Sequence, residues 1–128
     1  MRDYNKINIK YIKSIIKIFP VKKVQFYNND IVIYIKNKYL LNFLFFLKNH
    51  IMCQYRVLTC ISGVDYPKKK YRFELVYELL SICYNNRIRI KTYVNQLQFI
   101  YSSEKIFSSA GWYECEIFDM FGIFFFKS

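Results

Sequence analysis

The chain has 128 residues, enough for one domain with a real core and too few for two ordinary ones, so a single domain over 1–128 is expected. It carries 20 Lys and Arg against nine Asp and Glu, a formal charge of +11, with ten basic and two acidic side chains within residues 1–50. Such a balance points to nucleic acid, an anionic membrane surface or an acidic protein partner.

Composition supplies a competing cause. Phe and Tyr number 13 each and Ile, Lys and Asn abound, whereas there is one Ala, three Gly and two Pro. The abundant residues are those with A- and T-rich codons, so drift of the gene raises charge and aromatic content without selection for a ligand. The lysines are scattered and only Lys68-Lys69-Lys70 form a run, which argues against a nucleic-acid stripe.

No apolar run reaches the roughly 20 residues of a spanning helix, so no direct membrane span is expected. The longest candidate, 40–47, stops at Lys48-Asn49-His50. Cysteines at 53, 60, 83 and 115 include no Cys-x-x-Cys pair and His50 is the single histidine, so local spacing assembles no zinc or cluster framework. Reduced thiols at half-buried positions are expected, with a Cys60 to Cys83 bridge as the alternative.

In chain order, Tyr11, Ile12, Ile15, Ile16 and Phe19 recur at helical spacing until Pro20. The basic segment 1–19 resembles a mitochondrial targeting peptide, but Lys in place of Arg, and Asp3, favour a first helix. Segments 24–27 and 31–35 read as a hairpin across Asn28-Asn29-Asp30, and 38–50 as a helix apolar over most of its circumference, lying across a sheet. Segment 54–61 reads as a central strand, and 62–67 as an ordered loop leading to the basic tip 68–70.

Segments 72–84 and 87–93 form the clearest hairpin, with Asn85-Asn86 as a two-residue turn that sets Tyr84 opposite Arg87 and Leu80 opposite Lys91. Alternation places Phe73, Leu75, Tyr77, Leu79, Cys83, Ile88 and Ile90 on one face. Glu74, Glu78, Arg87, Arg89 and Lys91 take the other, either as a solvated face with cross-strand ion pairs or as a docking surface. Segment 93–109 reads as a strand end, a loop and a helical turn, 112–121 as a helix, and 123–126 as a returning strand. Helices on one face of a mainly antiparallel, mixed sheet give an α+β two-layer sandwich.

The helix at 112–121 gathers three of the nine acids into six positions. Helical pitch aligns Tyr113, Ile117 and Met120 as an apolar stripe, projects Glu116 and Asp119 together from a neighbouring face, and leaves Gly122 as a stop. Two readings compete: acids serving the positive N-terminal end of the helix, and an acidic docking face or acid/base pair. Three glycines cannot build a phosphate loop, His50 suits a helix C-terminus, and no nucleophile stands beside the acids. Nothing demands an enzyme, and no catalytic, cofactor-binding or metal residue is assigned.

Several motifs then fall in one order: Gly63-Val64-Asp65-Tyr66-Pro67; Arg72-Phe73-Glu74-Leu75-Val76-Tyr77; Arg87-Ile88-Arg89-Ile90; Ile106-Phe107 with Ala110; and Glu114-Cys115-Glu116 followed by Asp119-Met120-Phe121-Gly122. Over about residues 40–126 this resembles the 30-kilodalton subunit of respiratory complex I, the NADH:ubiquinone oxidoreductase subunit known in mitochondrial genomes as subunit 9. The family pattern has Glu-Arg-Glu where this chain has Glu114-Cys115-Glu116, so the flanking acids are expected to take another positive partner.

The family also continues past the Met-Phe-Gly segment with a tail, and a separate polypeptide is expected in its place. The resemblance implies a structural peripheral-arm subunit packed against the 49-kilodalton quinone-site subunit, organelle-encoded, on the matrix side of the mitochondrial inner membrane. FMN, iron-sulfur clusters, NADH and ubiquinone would belong to other subunits. Asp65, Tyr66, Pro67, Arg72, Glu74, Arg87, Arg89, Glu114, Glu116, Asp119, Phe121 and Gly122 are the expected interface or bracing residues. The alternative is a basic RNA-binding module of an organellar ribosome; an isolated hydrolase comes third.

Overall fold

The computed structural model describes residues 14, 17–27, 30–50, 53–83, 85–95 and 98–126. Most of the expected first helix at 1–19, and the Asn28-Asn29 turn, lie outside them. Strands β1 (Val21–Tyr27) and β2 (Asp30–Ile35) pair antiparallel with Val24 opposite Ile33, which is the expected hairpin. Helix α1 (Asn37–Asn49) follows, then β3 (Val57–Asp65), β4 (Phe73–Ser81), β5 (Asn86–Val94), β6 (Phe99–Tyr101), α2 (Ala110–Phe121) and β7 (Phe124–Phe126).

The five-stranded sheet runs β1-β2-β5-β4-β3, and β6 and β7 form a parallel pair. All neighbours in the larger sheet are antiparallel except β2 and β5, whose parallel register sets Ile31 against Ile88 and Ile33 against Ile90. This order corrects the reading of 54–61 as a central strand. The strand begins at Val57, lies at the sheet edge and continues to Asp65, so 62–65 belong to the ladder and not to a loop. The physical reason is written in the side chains: β4, flanked on both sides, is buried along most of its length, whereas β3 interleaves exposed Thr59, Ser62 and Val64.

The β4–β5 hairpin keeps its expected faces but not its expected register. Ser81 opposes Asn86, Leu80 opposes Arg87 and Glu78 opposes Arg89, with Ile82, Cys83 and Asn85 in the turn; Tyr84, expected opposite Arg87, lies outside the described residues. An even shift preserves which side chains share a face, and it sets Arg89 opposite the acid Glu78, while Arg87 faces Leu80 and Lys91 faces Val76. Asn85 takes a left-handed φ of 49° in that turn, and Cys83, expected on the core face, is exposed there.

Leu40, Phe43, Leu44 and Leu47, at the spacing of one helical stripe, bury the inner face of α1, while Phe45 stays exposed. They meet Ile31, Ile33, Ile35, Leu75, Tyr77, Leu79, Ile88 and Ile90 in one cluster that Ile117 of α2 also enters. Both helices thus serve one core against one face of the sheet, the expected α+β two-layer arrangement. Truncating a fully buried Leu44 or Phe43 here belongs to the class of changes that costs about 2–5 kcal/mol.

Candidate docking surface

Helix α2 starts at Ala110 with no acid in its first turn, so the expected service to the helix N-terminus does not arise. It ends where Gly122 adopts φ 73° and donates its N–H to the Phe118 carbonyl at 2.9 Å, the left-handed stop that glycine accommodates. The expected stripe of Tyr113, Ile117 and Met120 is only partly inward: Ile117 is buried, Tyr113 half-buried, and Met120 68% exposed. Ala110, Glu114 and Ile117 are the residues the helix buries.

Glu114 therefore sits inside, at 3% exposure, while Glu116 and Asp119 face solvent. One Glu114 carboxylate oxygen accepts from the Ser103 backbone N–H at 2.8 Å and the Ser103 hydroxyl at 3.1 Å, and the other accepts from the Ser102 hydroxyl at 2.6 Å. The positive partner expected for it is replaced by neutral donors. Ser102-Ser103, twelve and eleven residues upstream, escaped the sequence reading; the available signal was a pair of small hydroxyl residues between the apolar Phe99-Ile100-Tyr101 and the charged Glu104-Lys105.

The same helix is tied to the edge strand at an irregularity. The register of β3 against β4 shifts between Leu58 and Cys60, and the intervening Thr59 carbonyl accepts from the Tyr113 hydroxyl at 2.8 Å. At the far end of α2, Phe121 packs edge-on against Phe73 and lies over Gly63, where an added Cβ would stand 2.8 Å from the ring. Tyr77, fully buried beneath, has a hydroxyl without a hydrogen-bond partner, and burial and then the charge of Glu114 push its phenol far up.

Asp65 and Arg72 meet as a two-pronged pair, Nε to Oδ1 at 2.7 Å and Nη2 to Oδ2 at 3.0 Å. That contact, with the Tyr66 N–H donating to the Arg72 carbonyl at 2.7 Å, closes the base of the Lys68-Lys69-Lys70 loop. The guanidinium holds the Asp65 carboxyl below its ordinary range. Lys69 lies over the half-buried Tyr66 ring at 4.6 Å, and Pro67 is exposed.

On the outer sheet face, Arg89 pairs with Glu78 at 3.1 Å and Lys91 with Glu74 at 3.2 Å, cross-strand ion pairs of the kind one of the two readings of this face allowed. Glu74 is nevertheless 4% exposed, and burial, then the charge of Glu74, push the Tyr93 phenol up to about 12. Tyr34 stacks on Tyr93 at 6.0 Å, with Lys23 and Lys91 over its ring. Arg87 is exposed and lines a cavity of about 330 Å³ with Asp30, Thr59, Glu78 and Arg89.

Large apolar side chains reach solvent mainly over 99–126: Phe99, Tyr101, Trp112 at 80% exposure, Phe118, Met120, Phe124 and Phe126. Phe99, Tyr101 and Phe126 touch one another with centroids 5.8–5.9 Å apart. Beside them, between α2 and β7, lies a cavity of about 340 Å³. Exposed aromatics in mutual contact of this kind mark interaction surfaces.

All four cysteines are free, but only Cys60 is half-buried; Cys53 is buried and Cys83 and Cys115 are exposed, which corrects the uniform expectation and removes the Cys60 to Cys83 bridge. Burial pushes the Cys53 thiol up to about 11, and Cys60 donates to Glu78 at 3.3 Å. Among the described residues no helix is long and apolar enough to cross a membrane.

The respiratory-chain NADH dehydrogenase 30 Kd subunit family matches residues 33–127. NADH-ubiquinone oxidoreductase subunit 9 of Reclinomonas americana is 42% identical over 114 residues, which cover 88% of this chain and 56% of that protein. The mitochondrial NADH dehydrogenase [ubiquinone] iron-sulfur protein 3 of Candida albicans is 37% identical over 105 residues, 82% of this chain and 38% of that one. The chain thus spans about half the length, or less, of these relatives. Among solved structures, a chain of the membrane-bound sulfane sulfur reductase, an archaeal respiratory membrane complex, superposes with a TM-score of 0.79 at 21% identity, over 92% of this chain and 69% of that chain, a likeness of fold.

An iron-sulfur cluster does not fit the residues present: the thiols stand on separate elements, and among the described residues no three His, Cys, Asp or Glu side chains converge. What the ordered motifs and the matched span do fix is membership: this chain belongs to the family of the 30 kDa subunit of respiratory-chain NADH dehydrogenase.

Proposed function

We propose that the chain is a non-catalytic, structural subunit of the peripheral, matrix-side arm of NADH:ubiquinone oxidoreductase, at the inner membrane of the mitochondrion, packed against the 49-kilodalton quinone-site subunit. It supports electron transfer from NADH to quinone by holding neighbouring subunits in register. FMN, clusters, NADH and ubiquinone are bound by other subunits. The observation that carries this reading is the aromatic surface over 99–126, which coincides with the C-terminal half of the family match and has Glu116 and Asp119 exposed within it. Desolvated aromatics supply binding energy and flanking charges set partner and register.

Sedimentation of detergent-solubilised membranes tests it: the full chain is expected to travel with NADH dehydrogenase activity and to stay with it as salt is raised. An RNA-binding module would bind RNA at low salt, lose it steeply with salt, and be absent from that fraction. Glu116→Ala with Asp119→Ala is expected to lower the amount assembled while turnover per assembled complex is unchanged. Lost turnover with assembly intact would mark an enzyme and overturn the proposal.

A further inference from the structure

The cavity between α2 and β7 has three aromatic walls, Phe118, Phe124 and Phe125, and two acids, Glu114 at its base and Asp119 beside it. Its volume of about 340 Å³ is at the small end of ligand pockets, which run roughly 300–1,000 Å³. That is room for one long side chain. In a chain of net charge +11, neither acid has an ion pair among the described residues, whereas Asp65, Glu74 and Glu78 each have one. The serine donors satisfy the hydrogen bonding of Glu114 but leave its charge uncompensated, and an uncompensated buried charge is costly until a cation arrives.

We propose that this cavity is a socket for one lysine or arginine side chain presented by a partner polypeptide of the complex. The inference rests on the docking reading above and names the chemistry of the segment docked. Aromatic faces attract the cationic head and pack its alkyl stem, and the carboxylates pair with it. In a chain whose net charge is basic, two acids at one aromatic cavity make a local site for a cationic side chain, so the socket fixes register as well as attachment.

Cys115 is exposed and lines the cavity, while Cys83 is exposed in the β4–β5 turn, which supplies reporter and reference in one chain. N-ethylmaleimide is applied to the intact, membrane-derived complex and to the same full chain after its release. Cys115 is expected to react at least tenfold more slowly in the complex than when released, with Cys83 as the rate standard. A photoactivatable cross-linker on Cys115, carried through assembly, is expected to capture a partner peptide with Lys or Arg at the joined site.

Asp119→Lys places a like charge in the socket and is expected to reduce co-sedimentation at least tenfold, and Asp119→Glu to restore it. If the chain sediments with the complex but Cys115 reacts as fast in it as when released, the socket is overturned and the docking reading stands. Capture of a peptide without a basic residue, of a second copy or of this same chain also overturns it. A chain absent from the complex overturns both.

Discussion

At residue scale, Glu114 sets the limit of what an acid's position in a helix reveals. Its spacing from Ile117 and Ala110 already permits burial, but a carboxylate enters a core only when donors wait for it, and Ser102-Ser103 lie on a different segment. Glu114→Ala strands the buried Ser103 N–H and hydroxyl and the part-buried Ser102 hydroxyl, a change expected to cost at least about 2 kcal/mol in urea unfolding, since each unsatisfied buried donor costs about 1–3 kcal/mol. Glu114→Gln retains an acceptor and is expected to cost less than the Ala change. Asp65 gives a pH prediction. Its carboxyl is held below the ordinary range in the fold, so its contribution is present above the unfolded carboxylate value of about 3.9 and disappears as pH falls through the lowered folded one. Acidification through that window is expected to lower the protection of the Tyr66 amide against exchange relative to an unstructured peptide at the same pH, and Asp65→Asn to do so already at neutral pH.

At the scale of elements, the contact between β3 and α2 depends on a side chain that is missing. Gly63→Ala pushes Phe121 off its seat and is expected to lower stability by about 1–3 kcal/mol, the usual penalty for overpacking. Combining it with Phe121→Leu is expected to recover part of that loss, so the pair departs from additivity in thermal unfolding. Much of this architecture was legible in the sequence: α1 from Leu40, Phe43, Leu44 and Leu47, the β1–β2 hairpin, the two faces of β4 and β5, and the Gly122 stop are all local periodicities or local backbone requirements. The edge place of β3 and the register of the β4–β5 turn were not legible, because both depend on which strands become neighbours. Asp65 and Arg72 stood among the expected interface or bracing residues without being paired with one another, and their contact needs the β3–β4 register; the inward turn of Glu114 needed distant serines to be explained.

At the scale of the whole molecule, the charge of +11 gives less than its size suggests, because the basic residues are dispersed and several are already paired or laid over rings. The sheet order carries a different consequence. The β1–β2 hairpin with α1 forms one run of local contacts and β3–β4–β5 another, and in the sheet the two are sewn together only where β2 runs alongside β5. On a ribosome the first run must wait, with the β2 edge unpaired, until residue 94 has emerged, a delay that suits chaperone protection and slow closure. The same seam makes the chain divisible: fragments 1–50 and 53–128, expressed together, are expected to co-purify as a folded pair, and 53–128 alone to aggregate through the bare edge of β5. Two genes could therefore carry this fold as well as one.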